Sequence, residues 1–152
     1  MPHEVVLGSI YTAVKSALAG SAPLVALLAA KRSGAPAVYD EGEQAVQGAL
    51  LPYVTVGAGT QEADHTMGPI GSARFGWNCT IQVKAVTQST ESVTLAILNE
   101  VAEVLYDGLD LGLAGYATSW VDDFSVVPTL IEPIAGVMTR SAPAIVRVKC
   151  YD

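Results

Sequence analysis

Charge is what this chain has least of. Only 15% of its 152 residues are Asp, Glu, Lys or Arg, against the ~25% usual for soluble domains. Eight are basic, and only Lys31 and Arg32 are adjacent. A protein that grips nucleic acid by its phosphates needs clustered Lys and Arg, so tight DNA binding is excluded. Histidine is nearly absent. Ser-His-Asp and Cys-His catalysis both need a histidine base, and the chain has only His3, in the N-terminal stretch, and His65, in the run Glu62-Ala63-Asp64-His65-Thr66. His65 reads as a solvated loop residue. These three polar neighbours on one mobile loop make a poor cation site. Two cysteines, Cys79 and Cys150, show no CxxC spacing, which removes a zinc or redox motif and leaves two buried free thiols. No apolar run approaches the ~20 residues of a membrane helix; Pro23–Ala30 stops at Lys31-Arg32. Met1-Pro2-His3-Glu4 lacks the basic-then-apolar order of a signal peptide. A soluble protein made in a cytoplasm is expected, with no cofactor and no metal.

What is present is apolar. Hydrophobic residues make up 51% of the chain, which excludes intrinsic disorder. The length fits one domain, and a chain of ~150 residues buries roughly 70% of its unfolded surface without staples. Fifteen acids against eight bases give a formal charge of −7. A monomer needs a charged coat, so part of this surface is expected to lie under copies of the chain or under partners.

Glu4–Leu18 reads as a helix, with Val6, Ile10, Val14 and Leu18 on one stripe. A second helix is expected over Ala22–Lys31, with Pro23 in its first turn. Ala37-Val38-Tyr39 is a short extended piece, and Leu51–Gly57 a strand. Gly59–Ser72 holds Gly59, Gly68, Pro69 and Gly71 and little periodicity, so it reads as a long loop. Arg74–Val86 alternates: Phe75, Trp77, Cys79, Ile81, Val83 and Ala85 on one face, Asn78, Thr80, Gln82 and Lys84 on the other. Ser89–Tyr106 is a helix capped by Ser89, with a stripe of Val93, Ile97, Val101, Val104 and Leu105. Ala117–Val127 is a strand with Trp120 and Phe124 on one face. The last strand, Ala144–Tyr151, turns Arg147 and Lys149 away from its apolar side. The order α-α-β-β-α-β-β predicts an α+β fold: a four-stranded antiparallel sheet against a central helix, preceded by a helix pair.

Asp122 and Asp123, adjacent on a strand, are expected to point to opposite faces. Asp40-Glu41-Gly42-Glu43 lacks the alternating ligands and distal Glu of a calcium loop. Gly57-Ala58-Gly59 is followed by no Gly-Lys-Ser/Thr and reads as a hinge, not a phosphate cradle.

The order and texture of these segments resemble the tail-completion proteins, or tail terminators, of long-tailed phages. The likeness runs from about Val5 to Tyr151. It rests on Val14–Leu18, Pro23–Leu28, Val38-Tyr39-Asp40, Leu51-Pro52-Tyr53-Val54-Thr55-Val56-Gly57, the alternating strand Trp77–Val86, the helix Glu91–Leu105 and the closing Ile145-Val146-Arg147-Val148. The resemblance implies a non-enzymatic virion protein, assembled in the host cytoplasm. It would form a ring, usually hexameric, at the head-proximal end of the tail tube. There it would stop tube polymerisation, join tail to neck and let DNA pass without sequence-specific binding. Its partners would be copies of itself, the tail tube protein and the head-tail connector proteins. In that setting Arg74, Asn78, Thr80, Gln82 and Lys84, with Arg147 and Lys149, are candidates for the contact between subunits. Thr60, Gln61, Glu62, Asp64, His65, Met67 and Ile70 would form the loop that touches the tube or a neighbour. Asp122, Asp123 and Glu132 would face the lumen and repel phosphate. The alternatives are a head-closure or tail-tube subunit and, further off, a small cytosolic enzyme using Cys79 or His65.

Overall fold

The computed structural model describes residues 5–31, 33–43, 50–67, 73–134 and 136–151. Helix α1 spans Leu7–Ala19, and Ile10, Val14 and Leu18, four apart, are fully buried on its inner stripe. Helix α2 is a single turn, Ala22–Val25, capped by the Ser21 hydroxyl, which accepts from the Leu24 N–H. The expected continuation to Lys31 does not form. The Ala29 N–H instead donates to the Pro52 carbonyl at 3.0 Å, and Ala30 bridges to Pro36. These pairings, with the Lys31 N–H donating to the Ala35 carbonyl at 2.7 Å, commit backbone donors that a longer helix would need.

Helix α3, Glu91–Val104, packs on the sheet through Thr94, Ile97, Leu98 and Val101, with Leu105 just beyond. Its cap is Thr90 rather than Ser89. Ile97, Val101 and Leu105 of the expected stripe are buried and Val104 packs against the core, but Thr94 takes the inward place expected for Val93, which is 45% exposed. The polar Thr94 is tolerated in the core because its hydroxyl bonds to the Thr90 carbonyl and to the buried Thr87 hydroxyl, at 2.9 and 2.8 Å.

The sheet is α+β in class but mixed and six-stranded, not the four antiparallel strands expected. Its strands are β1 (Val38–Asp40), β2 (Tyr53–Met67), β3 (Ala73–Thr87), β4 (Thr118–Val126), β5 (Leu130–Ile134) and β6 (Val137–Tyr151). The path is β1-β2-β3-β6-β4, with β5 paired to β6. β1 runs parallel to β2, and every other pair is antiparallel. The expected loop after Gly57 is mostly strand: β2 continues to Met67 and pairs with β3 back to Ala73. Thr60, Gln61, Glu62, Asp64, His65 and Met67 therefore lie on β2, and Ile70 lies outside the described residues. The hydrophobic period vanished there because the hairpin runs past the core and keeps polar residues on both faces.

β5 and the first half of β6 were hidden by Pro133, Gly136 and Pro143. Pro143 is accommodated where β6 changes partner: pairing with β5 ends at Ser141 and pairing with β4 begins at Ala144. The Pro143 carbonyl accepts from the Val127 N–H at 3.0 Å. Its missing donor falls on the same side, in the gap between two partner strands.

The inner face of the sheet, with Val54, Val56, Ile81, Val83, Val146 and Val148, meets α1 and α3 in the main core. The outer face carries a smaller cluster of Tyr39, Tyr53 and Val86, in which the two tyrosine rings stand edge to face at 5.9 Å.

Candidate functional site

The outer face of β2, β3 and β6 gathers residues from two of the sequence-predicted groups. Register places Thr60 opposite Thr80 and Glu62 opposite Asn78 on β2 and β3, then Thr80 opposite Arg147 and Asn78 opposite Lys149 on β3 and β6. These six side chains line an open groove of about 270 Å³. The Thr60 and Thr80 hydroxyls bond to each other across it. The Asn78 Oδ1 is buried and has no hydrogen-bond partner among the described residues. Gln82 and Lys84 continue the same face below the groove. Arg74 pairs by backbone with Thr66 beyond the groove.

Both lysines on this face have carboxylate neighbours. Lys149 lies 3.8 Å from Asp122, and Lys84 lies 3.9 Å from Glu132, whose carboxylate also accepts from the Ser141 hydroxyl. Asp123 stands opposite Arg147 in register, yet its carboxylate accepts from the Phe124 N–H and the Ser125 hydroxyl. Arg147 is exposed and has no ion pair among the described residues.

The two aspartates do not face opposite ways as expected. A bulge between Val121 and Asp123 inserts Asp122 as an extra residue. Asp122 then reaches Lys149 and Asp123 sits beside Arg147, both on the outer face. The same bulge separates Trp120 from Phe124: Trp120 opposes Lys149 outside, while Phe124 opposes Val146 and packs on the core.

Above the groove an aromatic strap crosses the sheet. Trp120 and Tyr151 lie with ring centroids 5.6 Å apart, and the Tyr151 hydroxyl donates to the Asp64 carboxylate on β2. Tyr151 is directly opposite Gly76. A Cβ at position 76 would collide with the Tyr151 ring and the Cys150 carbonyl oxygen, so the ring occupies the space a side chain would fill. Sequence pattern gave no warning of this strap, because its parts lie on four strands.

On the inner face, Cys79 and Cys150 are free and fully buried on neighbouring strands. Burial pushes the Cys79 thiol up to about 12, with the nearby Cys150 adding to it, and pushes Cys150 up to about 11. Thiols so placed are poor nucleophiles. Among the described residues, no three His, Cys, Asp or Glu side chains converge to hold a metal ion. Nor, among the described residues, is any helix long and apolar enough to cross a membrane.

Two further features concern edges. β1 covers β2 only from Val54 to Val56, so from Gly57 onward the outer edge of β2 has no strand partner among the described residues. At the other side of the sheet, the β5–β6 ribbon exposes large apolar side chains, including Ile131 at 62% and Met138 at 60%.

No protein-family model matches the chain, and neither does any curated protein. Among solved structures, a chain in the virion of a native gene transfer agent (GTA) particle superposes with a TM-score of 0.65 at 20% identity, covering 97% of this chain and 98% of that one. The two chains share a fold.

Proposed function

We propose that the chain is a structural virion protein, a tail terminator that closes the head-proximal end of a tail tube as a hexameric ring and joins it to the neck. The end-to-end fold likeness to a chain of a gene transfer agent virion is the observation that carries this reading. The sparse surface charge and the exposed apolar ribbon support assembly, since both are costly on a free monomer. A closed ring uses a heterologous contact, one surface of each copy against a different surface of the next. The outer-face side chains Asn78, Thr80, Gln82, Lys84, Arg147 and Lys149, together with Arg74, and the open edge of β2 are the surfaces offered for it.

The distal part of the β2–β3 hairpin, from Thr60 to Met67, would reach the tail tube or the neighbouring copy. Asp122, Asp123 and Glu132 would line the DNA passage. Their partners Lys149 and Lys84 and the Phe124 amide temper the repulsion they exert. The role needs no bond made or broken. Electron microscopy of the purified chain tests the reading. Single rings that cap tail tubes are expected; tubes growing from this chain alone would assign it to the tube instead.

A further inference from the structure

The two lateral borders of the sheet are stepped in opposite senses. Take the Tyr53 end of β2 as the top. On one border β1 lies on β2 only at Val54–Val56, and below it β2 runs on past Ala63 with no strand beside it among the described residues. On the other border the lower part is covered. The Gly108 and Leu111 N–H groups donate to the Val121 and Ser119 carbonyls of β4 at 2.7 and 2.9 Å, and the Val121 N–H donates to the Leu109 carbonyl at 3.0 Å. Above Val121 no strand flanks β4 on that side among the described residues. Register fixes the heights. Trp120 stands level with Lys149, Asn78 and Glu62, and Val126 with Ala144, Val83 and Val56. Each border therefore protrudes where the other recedes. The directions agree as well: counted across the sheet, residues 108–111 run the same way as β1 and β2.

Backbone groups single out the lower steps. The upper ones are closed to strand addition. The Val38 N–H donates to the Pro36 carbonyl, the Asp40 N–H to the Glu43 carboxylate and the Phe124 N–H to the Asp123 carboxylate, at 2.8, 2.9 and 2.9 Å. Below, Asp110 sits between the residues that bond to β4, so its own N–H and C=O turn away from β4. They meet the height at which β2 is uncovered.

Side chains add a knob and a hole. Tyr106, in the turn that leads into this segment, is 56% exposed. Just below the end of β1, a notch of about 290 Å³ opens between α1 and β2, lined among others by Gly8, Tyr11, Thr12, Glu41 and Ala58. A Cβ at Gly8 would meet nothing within 4 Å. A cavity of ~150 Å³ already accepts a benzene ring. Charge does not draw the surfaces together: Asp107 and Asp110 on one border face Glu41 and Glu62 on the other, and Asp40 is held by Lys15 at 2.9 Å. Burial of the tyrosine has to carry the contact.

We propose that residues 106–111 of each copy lie along β2 of the next, directly below its β1, with the Tyr106 ring in the notch and the Asp110 backbone bridging to β2 near Ala63. The contact rests on the ring reading and supplies its head-to-tail joint, since one border of each copy fits the other border of its neighbour.

Native mass spectrometry and size exclusion of the full chain across a concentration series test it. Tyr106→Ala empties the notch and Gly8→Leu fills it from within. Each should move the midpoint of ring formation at least about tenfold to higher concentration. Lys149→Gln, away from both borders, should leave it within about threefold. Because acids face acids across the joint, the natural midpoint should fall as NaCl rises from about 0.05 to 0.5 M. Circular dichroism checks that each variant folds; should Tyr106→Ala unfold, Gly8→Leu decides in its place.

Folded Tyr106→Ala and Gly8→Leu chains that form rings at the natural midpoint would overturn the joint and leave the ring standing. A natural midpoint that rises with salt would also overturn it, by showing that attraction between opposite charges holds the copies together. A natural chain that stays monomeric at every concentration and salt would overturn both readings.

Discussion

At the scale of single residues, the two thiols and one glycine make the sharpest demands. An unfolded thiol ionises near 9, whereas Cys79 and Cys150 in the folded chain hold their protons to about 12 and about 11 because burial disfavours the thiolate. Above pH 9 the unfolded chain therefore binds fewer protons than the native one, and stability falls as pH rises. Urea melts at pH 8, 9 and 10 should show declining stability, and a Cys79→Ala, Cys150→Ala chain should show a shallower decline from its lower starting point. At pH 8 a thiol reagent should label both cysteines only at the rate of opening of the fold. Gly76 is the counterpart on the outer face. Gly76→Ala should cost about 1–3 kcal/mol in chemical denaturation, because the Tyr151 ring and the Cys150 carbonyl cannot both yield.

At the scale of elements, the long β2–β3 hairpin depends on how it leaves the core. Its bulge between Gly57 and Thr60 holds Ala58 at a φ of 50° and is tied to α1 by the Gly59 N–H, which donates to the Tyr11 hydroxyl at 2.8 Å. Tyr11→Phe should leave that N–H without its acceptor and cost about 1–3 kcal/mol, measured by denaturant unfolding. Hydrogen exchange should quicken at Gly59 first. Thr90→Ala should cost about 1 kcal/mol by removing the α3 cap. Elements that sit on the core were legible in the sequence, since burial imposes a period: α1 through Ile10, Val14 and Leu18, and β3 through Trp77, Cys79, Ile81 and Val83. Elements that leave the core were not. The distal half of β2 has polar residues on both faces, and β5 contains a proline. The Arg147–Lys149 face was legible as the polar side of an alternating strand. Its junction with Thr60 and Glu62 was not, because the loop reading kept them off the sheet.

At the scale of the whole molecule, stability should concentrate where strands are flanked on both sides. β3 and β6 are the inner strands of the path, and their inner-face residues Val83, Ala144, Val146 and Val148 are fully buried. Native-state hydrogen exchange should find the slowest amides there and the fastest in β1 and β5. If β1 or β5 outlasted β3, the layering described above would be wrong. The β5–β6 ribbon should matter little to the free chain: Ile131→Ser with Met138→Ser should change its stability by no more than about 0.5 kcal/mol.

The extra residue in β4 has a consequence for comparing this chain with others. Val121 and Phe124 both point inward although they are three apart. A relative lacking the insertion would place the same two side chains two apart, with no change in what the core sees. Excising Asp122 alone should therefore be tolerated where excising Trp120 or Phe124 is not, and an alignment that admits no gap at that spot would run out of frame through the rest of the strand.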